Sequence, residues 1–271
     1  LTFSGSGDMD NGVSYSVKYT FEGGDEAGHA VTFDLGSGLK LGIGYDQSYG
    51  IETVKAISPY VNNRRADITG AHRGLPTAAR KPLGPDVWDT SSGENAIGLS
   101  FKNDLAAISF GFTPVRDVNT STDAIATSSA TSSEYGTASS IGVKLTPVDG
   151  LTIGFGTSSE ESDATANSDP KGTTIGFQYK IGSFAIGYQE IENELDDTTT
   201  QRVTTTEIQE GGVAYKVNDA LTIGVFAANI NYLAVNTDNG VETGMGIVQV
   251  GYNLGPAVIQ YDYADGSLSL I

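Results

Sequence analysis

The chain has 271 residues, a formal net charge of −18 and no cysteine. The missing thiols exclude a disulfide scaffold and cysteine-ligated metal sites. The acidic balance argues against a nucleic-acid partner, because phosphate binding requires basic patches. Apolar residues make up 38%, the mean hydropathy is −0.15, and no stretch approaches the roughly 18 consecutive apolar residues of a membrane helix. These values fit a soluble all-β protein as well as a membrane barrel, whose strands alternate lipid-facing and lumen-facing residues.

Period-two alternation of apolar and polar residues dominates the chain. In residues 12–21, Val and aromatic side chains occupy one face, and Ser, Lys and Thr occupy the other. We predict about fourteen strands, near residues 1–7, 11–21, 28–35, 38–46, 95–102, 104–114, 137–146, 150–158, 172–180, 183–190, 205–217, 219–229, 242–253 and 256–264. Most of them match the roughly 9–11 residues of a tilted membrane strand. The segment 205–217 begins with a polar Thr run, and its parity slips before Val213.

The connections between the predicted strands alternate strictly between short and long. Short turns fall at 8–11, 36–37, 103, 147–149, 181–182, 218 and 254–255, and long connections at 22–27, 47–94, 115–136, 159–171, 191–204 and 230–241. Short turns on one rim and long loops on the other are typical of transmembrane barrels. Because the alternation continues past every long connection, we expect residues 1–271 to form a single transmembrane antiparallel β-barrel domain.

Aromatic residues concentrate near strand ends on the apolar face. Strands that run toward the long connections carry them at positions such as Tyr19, Phe155 and Tyr188, and returning strands carry them at positions such as Phe101 and Tyr215. The two sets form two rings about a strand length apart, as in the aromatic girdles of membrane barrels. A general preference of strands for aromatic residues would scatter them instead.

Parity assigns each side chain to one face. We expect eight apolar side chains to face lipid: Val17, Ile43, Leu99, Phe110, Ile153, Phe177, Ile186 and Ile223. Seven small or polar residues should face the lumen: Ser16, Gly42, Ser100, Ser109, Thr152, Gln178 and Thr222. Five lysines share the inward parity and lie at the short-turn ends of their strands, Lys40, Lys102, Lys144, Lys180 and Lys216, while Lys18 has inward parity on the second strand. Together with Gln178, these lysines are the predicted pore-lining residues.

Two stretches carry a family resemblance. They are Leu-Thr-Phe-Ser-Gly at residues 1–5, which runs into Met-Asp-Asn-Gly at 9–12, and Gly-Glu-Asn-Ala-Ile-Gly-Leu at 93–99. With the strand pattern, they resemble the bacterial general porins. The resemblance implies a sixteen-stranded homotrimeric barrel in the bacterial outer membrane, with a long third loop folded into the lumen. Four predicted strands precede the insertion where porins have five, and Ile271 replaces the family's terminal Phe. We therefore expect a mature chain that lacks one strand at each end.

The insertion at residues 47–94 is far longer than ordinary loops, which makes it a candidate functional segment. The resemblance implies that it narrows the lumen and that its charges select solutes by size and charge. The predicted constriction residues are Arg64, Arg65, Asp67, Arg73, Arg80, Lys81, Asp86, Asp89 and Glu94. The alternative is an extracellular loop that packs over the mouth or against a neighbouring molecule. Selectivity should follow the charges nearest the narrowest point, so we expect weak cation selectivity, or even a preference for anions, despite the net charge.

Acidic residues crowd the long connections, for example Glu160, Glu161, Glu190, Glu192 and Glu194. They either keep the loops solvated or form an acidic outer mouth, with loosely bound divalent cations that bridge to lipopolysaccharide. We expect no other cofactor. The expected partners are outer-membrane lipid and lipopolysaccharide, small hydrophilic solutes and ions, and two further copies of the chain in a homotrimer.

Catalysis is not expected. The chain has only two histidines, His29 and His72, and neither a Gly-x-Ser-x-Gly elbow nor a His-Glu-x-x-His motif. The predicted function is an outer-membrane porin that passes ions and small hydrophilic solutes by passive diffusion. A substrate-specific uptake channel is the first alternative, because the same architecture serves both. A soluble or surface-displayed binding protein, such as a lectin-like sandwich, is the second.

Overall fold

The structure is a computed structural model, and it describes residues 1–22, 25–45, 49–54, 57, 96–114, 135–162, 168–197, 202–234, 241–253 and 258–270. In these ranges the chain forms fourteen strands and one short 3₁₀ helix, Gly50–Val54. The strands are β1 (Thr2–Asp8), β2 (Ser14–Glu22), β3 (Asp25–Gly36), β4 (Leu39–Tyr45), β5 (Ala96–Lys102), β6 (Ala106–Thr113), β7 (Tyr135–Leu145), β8 (Leu151–Ser162), β9 (Ser168–Ile181), β10 (Phe184–Asp197), β11 (Arg202–Lys216), β12 (Leu221–Ala234), β13 (Val241–Asn253) and β14 (Val258–Leu270). Within the described ranges, no helix is long and apolar enough to cross a membrane.

All fourteen strands belong to one sheet, and each pairs antiparallel with its neighbours in sequence from β1 to β14. This is the meander that alternating short and long connections predict. Several strands extend further toward the long-connection rim than the hydrophobic pattern indicates. Strand β10 continues to Asp197, which pairs with Arg202 at the start of β11, because backbone hydrogen bonds hold a strand beyond the point where its apolar side chains end.

These longer strands correct the placement of the acidic residues. Glu160 and Glu161 lie on β8, and Glu190, Glu192 and Glu194 lie on β10. Contrary to the prediction, all five therefore belong to strands and not to loops. Glu160 is buried on the polar face of the sheet, whereas Glu190 and Glu192 are exposed on the opposite face. The prediction was wrong because the alternation of apolar residues marks the membrane-embedded part of a strand, and these strands continue past it.

The parity slip before Val213 involves no shift of the backbone, since β11 keeps a regular register with both β10 and β12 from residue 204 to residue 215. What changes is the chemistry of each face. Val213 and Tyr215 are exposed on the apolar face, while Gln209 is exposed on that same face further along. Ile208 points the other way and is 1% exposed. The sequence pattern therefore reverses its polarity without any bulge in the backbone.

The two faces of the sheet differ in exposure in the opposite sense to a soluble protein. The eight residues predicted to face lipid, from Val17 to Ile223, are 38–45% exposed. Polar side chains on the opposite face are buried, with Ser109 at 3% and Gln189 and Asn193 at 0%. An outward apolar surface around a polar interior is the arrangement of a transmembrane barrel, in which lipid covers the exposed side chains.

Aromatic side chains mark both ends of this apolar surface. At the short-turn end, the ring centroids of Phe184 and Tyr215 lie 4.6 Å apart. At the other end, Tyr19 lies 4.8 Å from Phe21 and stacks on the imidazole of His29 at 6.2 Å. These contacts agree with the two predicted rings, and they place His29 in an aromatic cluster on the apolar face.

Candidate functional site

The insertion between β4 and β5 begins on the polar face of the sheet. We call its described part, residues 49–54 and 57, the strap. The backbone N–H of Gly50 donates to Oγ of Ser109 on β6 at 2.8 Å, and the N–H of Ile51 donates to Oγ of Ser140 on β7 at 3.3 Å. Both serines are 3% exposed. The short polar side chains of the wall thus satisfy backbone donors that a turn of 3₁₀ helix leaves without partners inside the helix.

Tyr49 opens the strap and lies flat against the wall. A Cβ at Gly98 on β5 would lie 2.0 Å from its ring, and a Cβ at Gly42 on β4 would lie 1.5 Å from its hydroxyl. The hydroxyl also hydrogen-bonds to the side chain of Thr32 on β3. Burial raises the pKa of this phenol, and the bond to Thr32 opposes the change. The ring is therefore held in its neutral form against three neighbouring strands.

Glycines on the polar face leave the space that the rest of the strap fills. A Cβ at Gly142 on β7 would lie 2.3 Å from the carbonyl oxygen of Gly50, and a Cβ at Gly154 on β8 would lie 1.8 Å from Cδ1 of Ile57. A Cβ at Gly156 would meet side-chain carbons of Ile51 and Val54 at 2.6 Å. Glycine inside a strand often marks such a close approach by another segment. The wall under the strap is thus built to receive it.

The apolar side chains of the strap join a buried cluster inside the sheet. Ile51 and Val54 are 0% exposed and Ile57 is 4% exposed. They pack with polar-face side chains from the later strands, Ile191, Ile208, Ala214, Phe226, Ala228 and Ile230. On β10–β12 the polar face therefore also carries apolar side chains, and there the wall forms a buried core with the strap.

Gln189 on β10 binds the far end of the strap. Its Oε1 accepts a hydrogen bond from the N–H of Ile57 at 3.1 Å, and its Nε2 donates to the carbonyl oxygen of Val54 at 3.4 Å. Nε2 also donates to Oγ1 of Thr174 on β9 at 2.8 Å. The strap accordingly contacts the wall from Thr32 on β3 to Gln189 on β10.

The predicted pore-lining lysines lie on the polar face, as parity predicts. Lys102 and Lys144 lie on the same cross-strand row, because both pair with Ala107 between them, so their Cα atoms are about 10 Å apart. Lys180 pairs with Ala185, Gln178 pairs with Thr152, and Lys18 pairs with Ala30. Their part in solute passage stays a prediction.

Two of these lysines have acidic partners. Nζ of Lys216 lies 2.8 Å from Oδ1 of Asp219 in the following turn, and Nζ of Lys40 lies 3.9 Å from Oδ2 of Asp34. The hydrogen bond and charge of Lys216 lower the pKa of Asp219. Both pairs are solvent-exposed, where ion pairs contribute little to stability. Their main effect is to reduce the positive charge that these two lysines present to the lumen.

The polar face of β1 and β2 presents a different surface. Ser4, Ser6, Ser16 and Lys18 are all exposed there, and cross-strand pairs join Ser4 to Lys18 and Ser6 to Ser16. None of the hydrogen bonds and close approaches described above for the strap involves a residue of β1 or β2. Among the described residues, this wall is thus an open stretch of the polar face, and we call it the open wall.

All nine predicted constriction residues, from Arg64 to Glu94, lie outside the described residues, as does His72. In the described ranges, no three His, Asp or Glu side chains converge on a possible metal site. Sequence reasoning missed Tyr49 and Gln189 as strap contacts, and it missed the buried carboxylate of Glu210. The run of glycines with inward parity was the available signal, because it indicates a wall approached closely by another segment.

Comparison with solved structures gives the same fold. A porin refined at 1.8 Å aligns with 99% of this chain and 86% of its own, with a TM-score of 0.59 and 14% identity. In-vitro folded OmpT, an outer membrane protein of Vibrio cholerae, covers 98% and 78% with a TM-score of 0.64 and 15% identity. The anion-selective porin from Comamonas acidovorans covers 98% and 78% with a TM-score of 0.62 and 14% identity.

No curated protein sequence matches the chain significantly. The family described as Gram-negative porin, however, matches residues 1–267. The match agrees with the antiparallel sheet, its exposed apolar face and the strap on its polar face. The chain is thus an all-β transmembrane barrel of the bacterial outer membrane that forms a water-filled channel for ions and small hydrophilic solutes. It belongs to the Gram-negative porin family.

Proposed function

We propose that this porin is a general diffusion channel whose water path follows the wall of β1 and β2. One observation carries the proposal: the described strap packs against the polar face at points from β3 to β10, whereas Ser4, Ser6, Ser16 and Lys18 on the first two strands are exposed. A solute must pass where the wall is not already packed. The wall is buried where the strap packs on it, at Ser109, Ser140 and Gln189, whereas the wall of β1 and β2 is lined by exposed hydroxyl groups and Lys18.

The chemistry of the open wall favours general diffusion over uptake of one substrate class. Along the paired stretches 2–8 and 14–20, the polar face of β1 and β2 carries only Thr, Ser, Asp and Lys residues. Specific ligand sites combine apolar or aromatic surfaces with a few convergent polar groups, and this face has no aromatic platform. Hydroxyl groups exchange hydrogen bonds with water readily, so they pass polar solutes without holding one of them.

We further propose that the lumen prefers anions slightly or selects cations only weakly. Lys102 and Lys144 share a row on the polar face, and Lys18 lies on the open wall. The exposed acids Glu190 and Glu192 lie on the opposite face of β10, where salt screens them beyond roughly 8 Å at physiological strength. One of the similar structures is itself an anion-selective porin.

The proposal also includes a homotrimer, since one of the similar OmpT structures is described as a trimer form. It includes no enzymatic step and no resident cofactor, because passive diffusion requires neither. Outer-membrane lipid would cover the apolar face. Loosely bound divalent cations and contacts to lipopolysaccharide at the acidic rim stay predictions. Three equal closing steps per inserted unit in bilayer recordings would support the trimer.

Single-channel recording in a planar bilayer tests the water path with a matched pair of variants. Ser16→Tyr places a ring on the open wall, and Val17→Tyr places the same ring on the lipid side of the same strand. We expect Ser16→Tyr to lower conductance and to shift the size cut-off for neutral sugars downward, and Val17→Tyr to leave both unchanged. Equal effects of the two variants would contradict the proposed path. Saturable block by one class of solute would favour the substrate-specific alternative.

A further inference from the structure

We propose that Gln189 is a positioning residue that fixes the height of the strap on the wall and thereby sets the width of the channel. The inference rests on the channel function proposed above. Gln189 is 0% exposed and lies on β10, six strands away from the end of β4, where the insertion starts. Its amide is the contact through which the far end of the described strap is hydrogen-bonded to the wall.

The orientation of the Gln189 amide is fixed by its neighbour. Oγ1 of Thr174 donates its proton to the carbonyl oxygen of Glu190 at 2.8 Å. The same oxygen therefore has only lone pairs left for Gln189, and it accepts from Nε2 at 2.8 Å. Because Nε2 must face Thr174, Oε1 must face the strap as an acceptor. Thr174 thus prepares Gln189 to receive a backbone N–H.

The strap presents the matching groups. The N–H of Ile57 donates to Oε1, and the carbonyl oxygen of Val54 accepts from Nε2. One side chain therefore binds two backbone groups that lie three positions apart. An aliphatic side chain could contact the strap, but it could not fix the height of Ile57 relative to β10.

The surroundings make these bonds costly to lose. Val54 and Ile57 pack in the same buried cluster as Ile191 on β10 and Ile208 on β11, so water has little access. A buried polar group that loses its partner in such a site carries the full penalty of desolvation. The serine contacts at Ser109 and Ser140 hold only the near end of the strap. Without Gln189, no described hydrogen bond would hold Val54 and Ile57 to β10.

A cysteine reporter tests this role apart from conductance. The chain has no cysteine, so Val54→Cys gives a single thiol at a position that is 0% exposed. We expect slow reaction with a water-soluble maleimide in this background. Adding Gln189→Leu should raise the labelling rate at least tenfold, while heat-modifiable gel mobility shows a folded barrel. The matched control is Gln209→Leu, the same substitution at an exposed glutamine on β11. It should leave the labelling rate unchanged.

Conductance gives the second measurement. Gln189→Leu should broaden the distribution of single-channel conductances and add sub-levels, and Gln209→Leu should not. If Gln189→Leu prevents folding, the test uses Thr174→Val instead. This variant removes the hydroxyl acceptor that orients the Gln189 amide and leaves Gln189 in place. We expect a labelling rate between those of the wild-type and Gln189→Leu backgrounds. Slow labelling and a wild-type conductance distribution in a folded Gln189→Leu or Thr174→Val variant would overturn the inference. Faster labelling in a chain that never conducts would support the anchor and contradict the channel function.

Discussion

Replacing Gly142 with Ala should lift the strap from the wall. The added Cβ would lie 2.3 Å from the carbonyl oxygen of Gly50 and 3.1 Å from the carbonyl carbon. Both atoms belong to the backbone, so no side-chain rotation relieves the overlap. Restoring an ordinary contact requires the strap to move by about 1 Å, since van der Waals attraction is optimal only at about 3.5–4.0 Å.

That movement disrupts the near anchor. The bonds from Gly50 to Ser109 and from Ile51 to Ser140 are 2.8 and 3.3 Å long, and a further displacement of about 1 Å takes both beyond hydrogen-bonding distance. If the strap stays in place instead, the overpacked site costs about 1–3 kcal/mol. Because the response of lower free energy prevails, the destabilisation of the docked strap by Gly142→Ala is at most about 3 kcal/mol. This range corresponds to an approximately 5- to 150-fold loss in the ratio of docked to undocked strap.

The assay is single-channel recording together with the labelling of Val54→Cys. We expect Gly142→Ala to lower the mean conductance, because the strap moves into the lumen, and to speed up labelling. The control is Gly246→Ala on β13, where an added Cβ meets nothing within 4 Å. It should leave both readouts unchanged and stabilise the strand by roughly 0.5–1 kcal/mol, since glycine is unfavourable inside regular structure. Identical behaviour of the two variants would refute the docking geometry.

Three further predictions follow from the two faces and the strap. Val225→Arg, on the exposed apolar face, should destabilise the barrel in lipid by about 2–4 kcal/mol if the residue lies near mid-membrane. Urea unfolding in vesicles measures this loss, and an unchanged stability would show that this face does not contact lipid. Lys102→Glu combined with Lys144→Glu should shift the reversal potential in a salt gradient toward cation selectivity, and an unchanged potential would remove this row from the selectivity path. Because the pKa of Tyr49 is raised, docking of the strap on the wall should be complete below pH ~10 and should weaken as the pH rises through the raised value. The current noise of the wild-type channel should therefore grow at high pH. The same growth in a Tyr49→Phe variant would refute the role of the phenol.

The fold could be predicted because two patterns can be recognised from residues close together in the sequence: the alternation of apolar and polar residues, and the alternation of short and long loops. All fourteen predicted strands are present, and residues such as Leu99 and Ile186 lie on the predicted face. Lipid imposes this pattern directly, since every outward side chain between the two interfaces must be apolar. A single slipped residue would invert a strand, so the pattern also fixes the register.

The strap and its anchors could not be predicted in the same way. They depend on contacts between residues far apart in sequence, such as Ile57 with Gln189, which no local period encodes. The ends of the long strands were missed for a related reason: Glu192 on the outward face is exposed, and Ile208 on the polar face packs with the strap, so neither follows the alternation that lipid imposes. The parity slip in β11 has the same origin, because the surroundings of each face change along the strand while its register stays regular.

The polar face thus has two chemistries, and each follows from what covers it. Where the strap packs, the wall is made of glycines that admit its backbone, serines that bind its N–H groups, and isoleucines that exclude water. Where no described segment packs, the wall carries exposed hydroxyl groups and Lys18. Inward parity alone cannot distinguish the two, because Gly142 and Ser16 both interrupt apolar runs. The difference is one of neighbours in space: a glycine next to a buried serine indicates a docked segment, and a row of serines next to a lysine indicates water. The proposed water path therefore follows the wall of β1 and β2, and the proposed anchoring of the strap would control its width from the opposite wall.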